Sequence, residues 1–112
     1  MTERLGIFGG AFDPVHIGHF EVINFISGLE IIDEIQIIPN YLSPHKKETL
    51  IGAAHRLKML ELTFENHENI KLNDFEIKNK KISFTLETLK FLKKIYPEKH
   101  LSLIIGLDSL YS

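Results

Sequence analysis

Apolar positions along this chain recur in two rhythms, one suited to strands and one to helices. Leu5 to Phe8 is a short apolar run that stops at Gly9-Gly10, as a buried strand bounded by glycine would. Beyond a loop containing Pro14, residues from about His16 onward carry Val22, Ile23, Ile26 and Leu29 at spacings of three and four, which predicts a helix with one apolar stripe. "EIQIIP", Glu34 to Pro39, predicts a second strand, ended by a proline that cannot donate to a ladder. The loop "NYLSPHKKETLIG" follows and is long for a connection of this class. Ala53, Leu57, Leu60 and Phe64 predict the next helix, and Ile70 to Leu72 a short strand. "DFEIK" then continues as an alternating stretch to the polar tip "NKK". Thr85 opens a further helix with Leu86, Leu89, Leu92 and Tyr96 on its buried side, and Pro97 stops it. "LSLIIG", Leu101 to Gly106, reads as a near-continuous buried strand.

Strands and helices thus alternate, which predicts an α/β domain: a Rossmann-like parallel sheet with right-handed crossovers and helices on both faces. At 112 residues the chain is one domain's worth or slightly less, with no repeat, low-complexity segment or linker. Residues 1–112 are expected to form a single domain. The sequence runs only to Ser112, where another helix should begin, so the last strand is expected as an apolar sheet edge needing cover from further chain or a partner.

Composition narrows the chemistry. With 44% hydrophobic and 25% charged residues, the chain reads as a globular protein. A net charge of −2 gives no global basic field for a nucleic-acid polymer, so an anionic ligand must be held by local groups. Cysteine is absent, which removes disulfides and thiolate metal sites and suits a reducing cytoplasm. No signal-like core and no run of ~20 apolar residues is present, so a cytoplasmic protein without membrane attachment is the expectation.

The chemistry concentrates in "GGAFDPVHIGHF", Gly9 to Phe20. Ligands of open α/β sheets bind beyond the carboxyl ends of the strands, where helix N-termini point. Gly9 and Gly10 let backbone N–H groups approach a phosphate, and a helix start adds unsatisfied N–H donors with partial positive charge. His16 and His19 fall on one side of that helix, and each imidazole donates one hydrogen bond when neutral and two when protonated, the form a nearby phosphate favours. Gly18 is expected to keep the helix start open. An isolated HxxH is ordinarily structural, with its nitrogens bound to backbone carbonyls. A zinc site needs three or four ligands, and His45, His55, His67 and His100 offer no useful spacing. Beside a strand, a glycine pair and a new helix, phosphate binding explains the two histidines better. Asp13 and Pro14 are expected to shape the turn, and the Phe12 ring to pack rather than stack on a ligand.

"GGAFDPVHIGH" resembles the signature GG-x-F-D-P-x-H-x-G-H of the nucleotidylyltransferase superfamily. Three further segments are similar to the bacterial nicotinate-nucleotide adenylyltransferase family. "IPNYLSPHK" resembles its IP-x-x-x-P-P-H-K stretch, with Ser43 for the first proline. "SFTLETL" resembles S-[YF]-T-x-[DE]-T-L, and "LIIGLDSL" resembles LIIG-x-D-[SL] with Leu107 where alanine is usual. The family's I-S-[ST]-T-x-[IL]-R segment and closing strand and helices have no counterpart here. The sheet is therefore expected as truncated after its fourth strand, the N-terminal part of a longer catalytic domain.

The resemblance implies adenylyl transfer from ATP to nicotinate mononucleotide, giving deamido-NAD and pyrophosphate, with Mg²⁺ accompanying ATP. It implies ATP contacts from Gly9, Gly10, Ala11, Phe12, Gly106 and Asp108, and phosphate stabilisation by His16 and His19. His45, Lys46 and Thr85 would meet the acceptor. A homo-oligomer is compatible with the sequence. Pantetheine-phosphate adenylyltransferases share the first motif but commonly carry threonine for the first histidine. Class I aminoacyl-tRNA synthetases carry HIGH but need far more chain. A non-catalytic nucleotide-binding module needing a partner is the reading from outside the enzymes.

Overall fold

Period-two alternation in the first two strands decides which helices lie on which side. The computed structural model describes residues 3–13, 15–41, 52–80 and 86–104. Its elements run β1 (Arg4–Gly10), α1 (Ile17–Gly28), β2 (Glu34–Pro39), α2 (Ala53–Phe64), β3 (Ile70–Leu72), α3 (Phe75–Lys78), α4 (Leu86–Ile95) and β4 (His100–Ile104). All strand pairs are parallel, in the order β3-β2-β1-β4. Successive strand side chains point to opposite faces. Phe8, Ile35 and Ile37 therefore pack with Ile23 of α1 and with Leu60 and Phe64 of α2. Leu5, Ile7 and Ile38 pack with Leu92 of α4 on the other side. Both faces of the sheet are covered, as the alternating element order predicts.

Spacing located the elements better than it located their buried faces. α1 buries Ile23, but Val22 and Leu29 of the expected stripe are exposed, as is Phe25. The helix is apolar nearly all round, so its own pattern selects no face and contact with the sheet does. α2 buries Arg56, Leu60 and Phe64, a stripe at i, i+4 and i+8. Ala53 and Leu57 are only partly buried.

"DFEIK" is not an extended stretch. Asn73 Oδ1 accepts from the Phe75 N–H at 2.9 Å and turns the chain into the single-turn α3. That turn buries Glu76, whose carboxylate accepts from Thr88 Oγ1 at 2.8 Å. The bond explains why α4 turns Thr88 and Leu92 inward while Leu86 and Leu89 face out, against the expected stripe. Among the described strands β4 lies at one edge of the sheet and its Leu103 is 54% exposed, the apolar edge expected of the last strand. No helix among the described residues is long and apolar enough to cross a membrane.

At the amino end of the sheet, Arg4 forks onto Asp33 through Nε and Nη2 at 3.1 and 3.0 Å, and its backbone N–H donates to the same carboxylate. The side-chain bond from Arg4, then the backbone one, hold the Asp33 carboxyl down at about 2. A carboxyl depressed on folding contributes stability above its unfolded pKa, and loses it as pH falls through the folded value. Asp33→Asn should lower the thermal midpoint at neutral pH, modestly because the pair is exposed. Melts from about pH 7 down to about pH 2 should show the gap closing below about pH 4. A gap that stays constant over that range would place the stabilisation elsewhere.

Candidate phosphate-binding site at the carboxyl end of the sheet

β1 carries the middle of the sheet to Gly9 and Gly10. Its pairing with β2 runs to Gly10–Pro39, and its pairing with β4 spans Arg4–His100 to Phe8–Ile104 among the described residues. The chain steps outward from β1 to β3 and then returns to the far side of β1, so the β1/β4 boundary is the point where strand order reverses. Crevices at such points hold ligands in parallel sheets.

The loop that leaves β1 is held by packing. Phe12 adopts φ 48°, a left-handed conformation that aromatic residues rarely take. Its ring is 2% exposed and meets Phe8 at 5.4 Å and His19 at 4.8 Å, both edge-on. The Phe12 side chain is thus a packing group. It fixes the loop backbone and one edge of the His19 ring together.

His16 and His19 close the start of α1 on each other. His16 is the N-cap, its Nδ1 accepting from the Gly18 N–H at 3.1 Å. His19 reaches back, its Nδ1 accepting from the His16 N–H at 3.1 Å. This is a capping box built from two imidazoles instead of a hydroxyl and a carboxylate. The rings stack with centroids 3.8 Å apart. The structural reading expects carbonyl partners; the partners are N–H donors instead. By this hydrogen-bond pattern Nδ1 is bare on both rings, which assigns the proton to Nε2 in the neutral form. The helix start thus orders two stacked imidazoles, each held through Nδ1 by a backbone N–H.

Gly18 has a more specific task than openness. A Cβ there would lie 2.9 Å from Cε1 and 3.1 Å from Nδ1 of His16. Its missing side chain makes room for the imidazole that caps the helix.

Arg56 joins this region from α2. Its guanidinium donates through Nη1 to the carbonyls of Ala11 and Asn40, both at 2.7 Å, and through Nη2 to Tyr41 at 2.8 Å. Burial lowers its pKa, and the negative charge of Asp13 partly opposes that. Sequence reasoning passed Arg56 over. The available signal was its place four residues before Leu60 and eight before Phe64, on the helix's own buried stripe.

Of the expected site residues, the structure brings together Gly9, Gly10, Ala11, Phe12, His16 and His19. His45, Lys46, Thr85, Gly106 and Asp108 lie outside the described residues. Among the described residues no three His, Asp or Glu side chains gather as metal ligands.

The Cytidylyltransferase-like family model matches residues 7–112. The chain belongs to this family. As a Cytidylyltransferase-like protein it is 39% identical over 106 residues to the probable nicotinate-nucleotide adenylyltransferase of Oceanobacillus iheyensis, covering 95% of this chain and 56% of that protein. It is 42% identical over 110 residues to the Coxiella burnetii protein of the same name, covering 97% and 51%. The solved Plasmodium falciparum nicotinic acid mononucleotide adenylyltransferase complexed with NaAD superimposes with a TM-score of 0.77 at 26% identity, covering 95% of this chain and 53% of that one. The chain spans about half the length of the curated relatives it matches. The Cytidylyltransferase-like family assignment agrees with the resemblance carried by Gly9 to His19.

The capping geometry makes a stability prediction. His16→Ala should cost about 1 kcal/mol in denaturant unfolding, the usual loss of a side-chain N-cap, and His16→Ser should recover most of it. An unchanged midpoint in His16→Ala would mean that the cap carries no stability.

Proposed function

We propose that this protein catalyses adenylyl transfer from ATP to nicotinate mononucleotide, giving deamido-NAD and pyrophosphate. The observation that carries the reading is the pair of backbone-ordered imidazoles, His16 and His19, at the start of α1 beside the glycine end of β1. The similarity to nicotinate-nucleotide adenylyltransferases supports the choice of acceptor.

A phosphate oxygen of the acceptor attacks the α-phosphorus of ATP in line. A new P–O bond forms as the bond to the oxygen bridging the α- and β-phosphorus breaks, and pyrophosphate leaves with that electron pair. No covalent enzyme intermediate is needed. The attacking phosphate is already ionised at neutral pH, so the protein supplies position and charge stabilisation instead of a general base. Backbone from Gly9 to Phe12 and the N-terminus of α1 receive the nucleotide. His16 and His19 donate from Nε2 to its phosphates, with His19 at the charge developing on the α-phosphate. Gly106 and Asp108 complete the ATP side, while His45 and Lys46 meet the acceptor phosphate and Thr85 its pyridine carboxylate.

Mg²⁺ accompanying ATP would neutralise part of the charge on its phosphates. ATP as donor and a chain without cysteine fit a cytoplasmic setting.

Pyrophosphate release by the full-length gene product should be fastest with nicotinate mononucleotide, against nicotinamide mononucleotide and phosphopantetheine as rival acceptors. Preference for phosphopantetheine would overturn the acceptor, and ATP binding without turnover would favour a binding module. His19→Ala should lower kcat by on the order of 10²–10³-fold, the effect of losing one oxyanion donor. His16→Ser, which restores the cap without the imidazole, should remain folded yet turn over slowly. Normal turnover in either variant would remove the role given to that ring.

A further inference from the structure

Arg56 lies near the start of α2, yet it is 1% exposed. Ladder pairing between β1 and β2 ends at Gly10 and Pro39, followed by one bond from the Asn40 N–H to the Gly10 carbonyl at 2.8 Å. Beyond that bond the two strands lead into separate loops. The Arg56 guanidinium spans them, taking Ala11 O on one side and Asn40 O and Tyr41 O on the other within 2.7–2.8 Å. Three converging carbonyls repel one another unless a cation lies between them, and a planar fork fixes their directions as well as their charge.

We propose that Arg56 is a positioning residue for adenylyl transfer. It holds the loop leaving β1, which presents ATP, at a fixed distance from the loop leaving β2, which leads into the acceptor-binding segment. It thereby sets the gap between the α-phosphorus and the attacking phosphate without touching either substrate. The inference rests on the adenylyl-transfer reading above. In-line attack is sensitive to such spacing, since a displacement of about 1 Å can cost on the order of 10²-fold in rate.

The test uses Arg56→Lys in the full-length gene product, which keeps the charge but not the fork. At a temperature where circular dichroism shows the variant fully folded, kcat should fall by roughly 10–100-fold while KM for ATP changes little. Arg56→Ala should lose turnover similarly and regain part of it on adding guanidinium or methylguanidinium ion, whereas His19→Ala should not respond. A folded Arg56→Lys with parental kcat would overturn the inference and leave Arg56 a purely structural residue. So would a folded Arg56→Ala that neither cation rescues. If Arg56→Ala does not fold, the lysine variant decides alone. A parent protein that releases no pyrophosphate with any acceptor overturns the adenylyl-transfer reading and this inference together. An active parent with indifferent Arg56 variants overturns this inference only.

Discussion

β1 must satisfy its backbone on both flanks, and it does so by pairing with β2 on one side and β4 on the other. The rest of the molecule is arranged around that constraint. Up to Phe8 the strand is paired on both sides, by β2 and β4, and its side chains alternate between two covered faces. Past Phe8 the pairing with β2 continues to Gly10–Pro39. The strand order reverses beside β1, the kind of place at which parallel sheets receive ligands. The proposed phosphate site follows from that connectivity as much as from side chains.

Buried polar groups do much of the joining that a small apolar core cannot specify alone. Gln36 lies in the middle of β2, its amide nitrogen donating to the Tyr96 hydroxyl at 2.9 Å and its oxygen accepting from Asn73 at 3.1 Å. Glu76 and Thr88 link α3 to α4 in the same manner. Arg56 links α2 to the two loops at the carboxyl end. Each of these bonds connects different elements of the fold. Each partner removed alone would leave a costly group without its bond, so the contacts select one arrangement over looser apolar alternatives.

The site was legible where local chemistry decides and hidden where packing does. The strand, loop and helix start from Gly9 to His19, on which the proposed phosphate cradle rests, were legible because they occur consecutively. The hydrogen bonds of the histidines could not be read, since a capping box normally uses oxygen acceptors and the sequence offered two imidazoles. Gly18 looked like a means of access and proved to be space for the His16 ring. The left-handed Phe12 was invisible for a different reason. An aromatic residue accepts that backbone only when its ring is locked in place, here against Phe8 and His19.

By itself the sequence determined the α/β class, the bounds of β2 and β3, and the place of the segment proposed to bind an anion. These depend on periodicity and on contiguous residues, which a chain carries in one dimension. Tertiary structure alone decided which face each helix buries and that Arg56, Glu76 and Thr88 belong inside. Burial of a polar side chain depends on the partner that meets it, and those partners sit 12 to 45 positions away along the chain. No local pattern encodes that distance, so the folded sheet had to supply it.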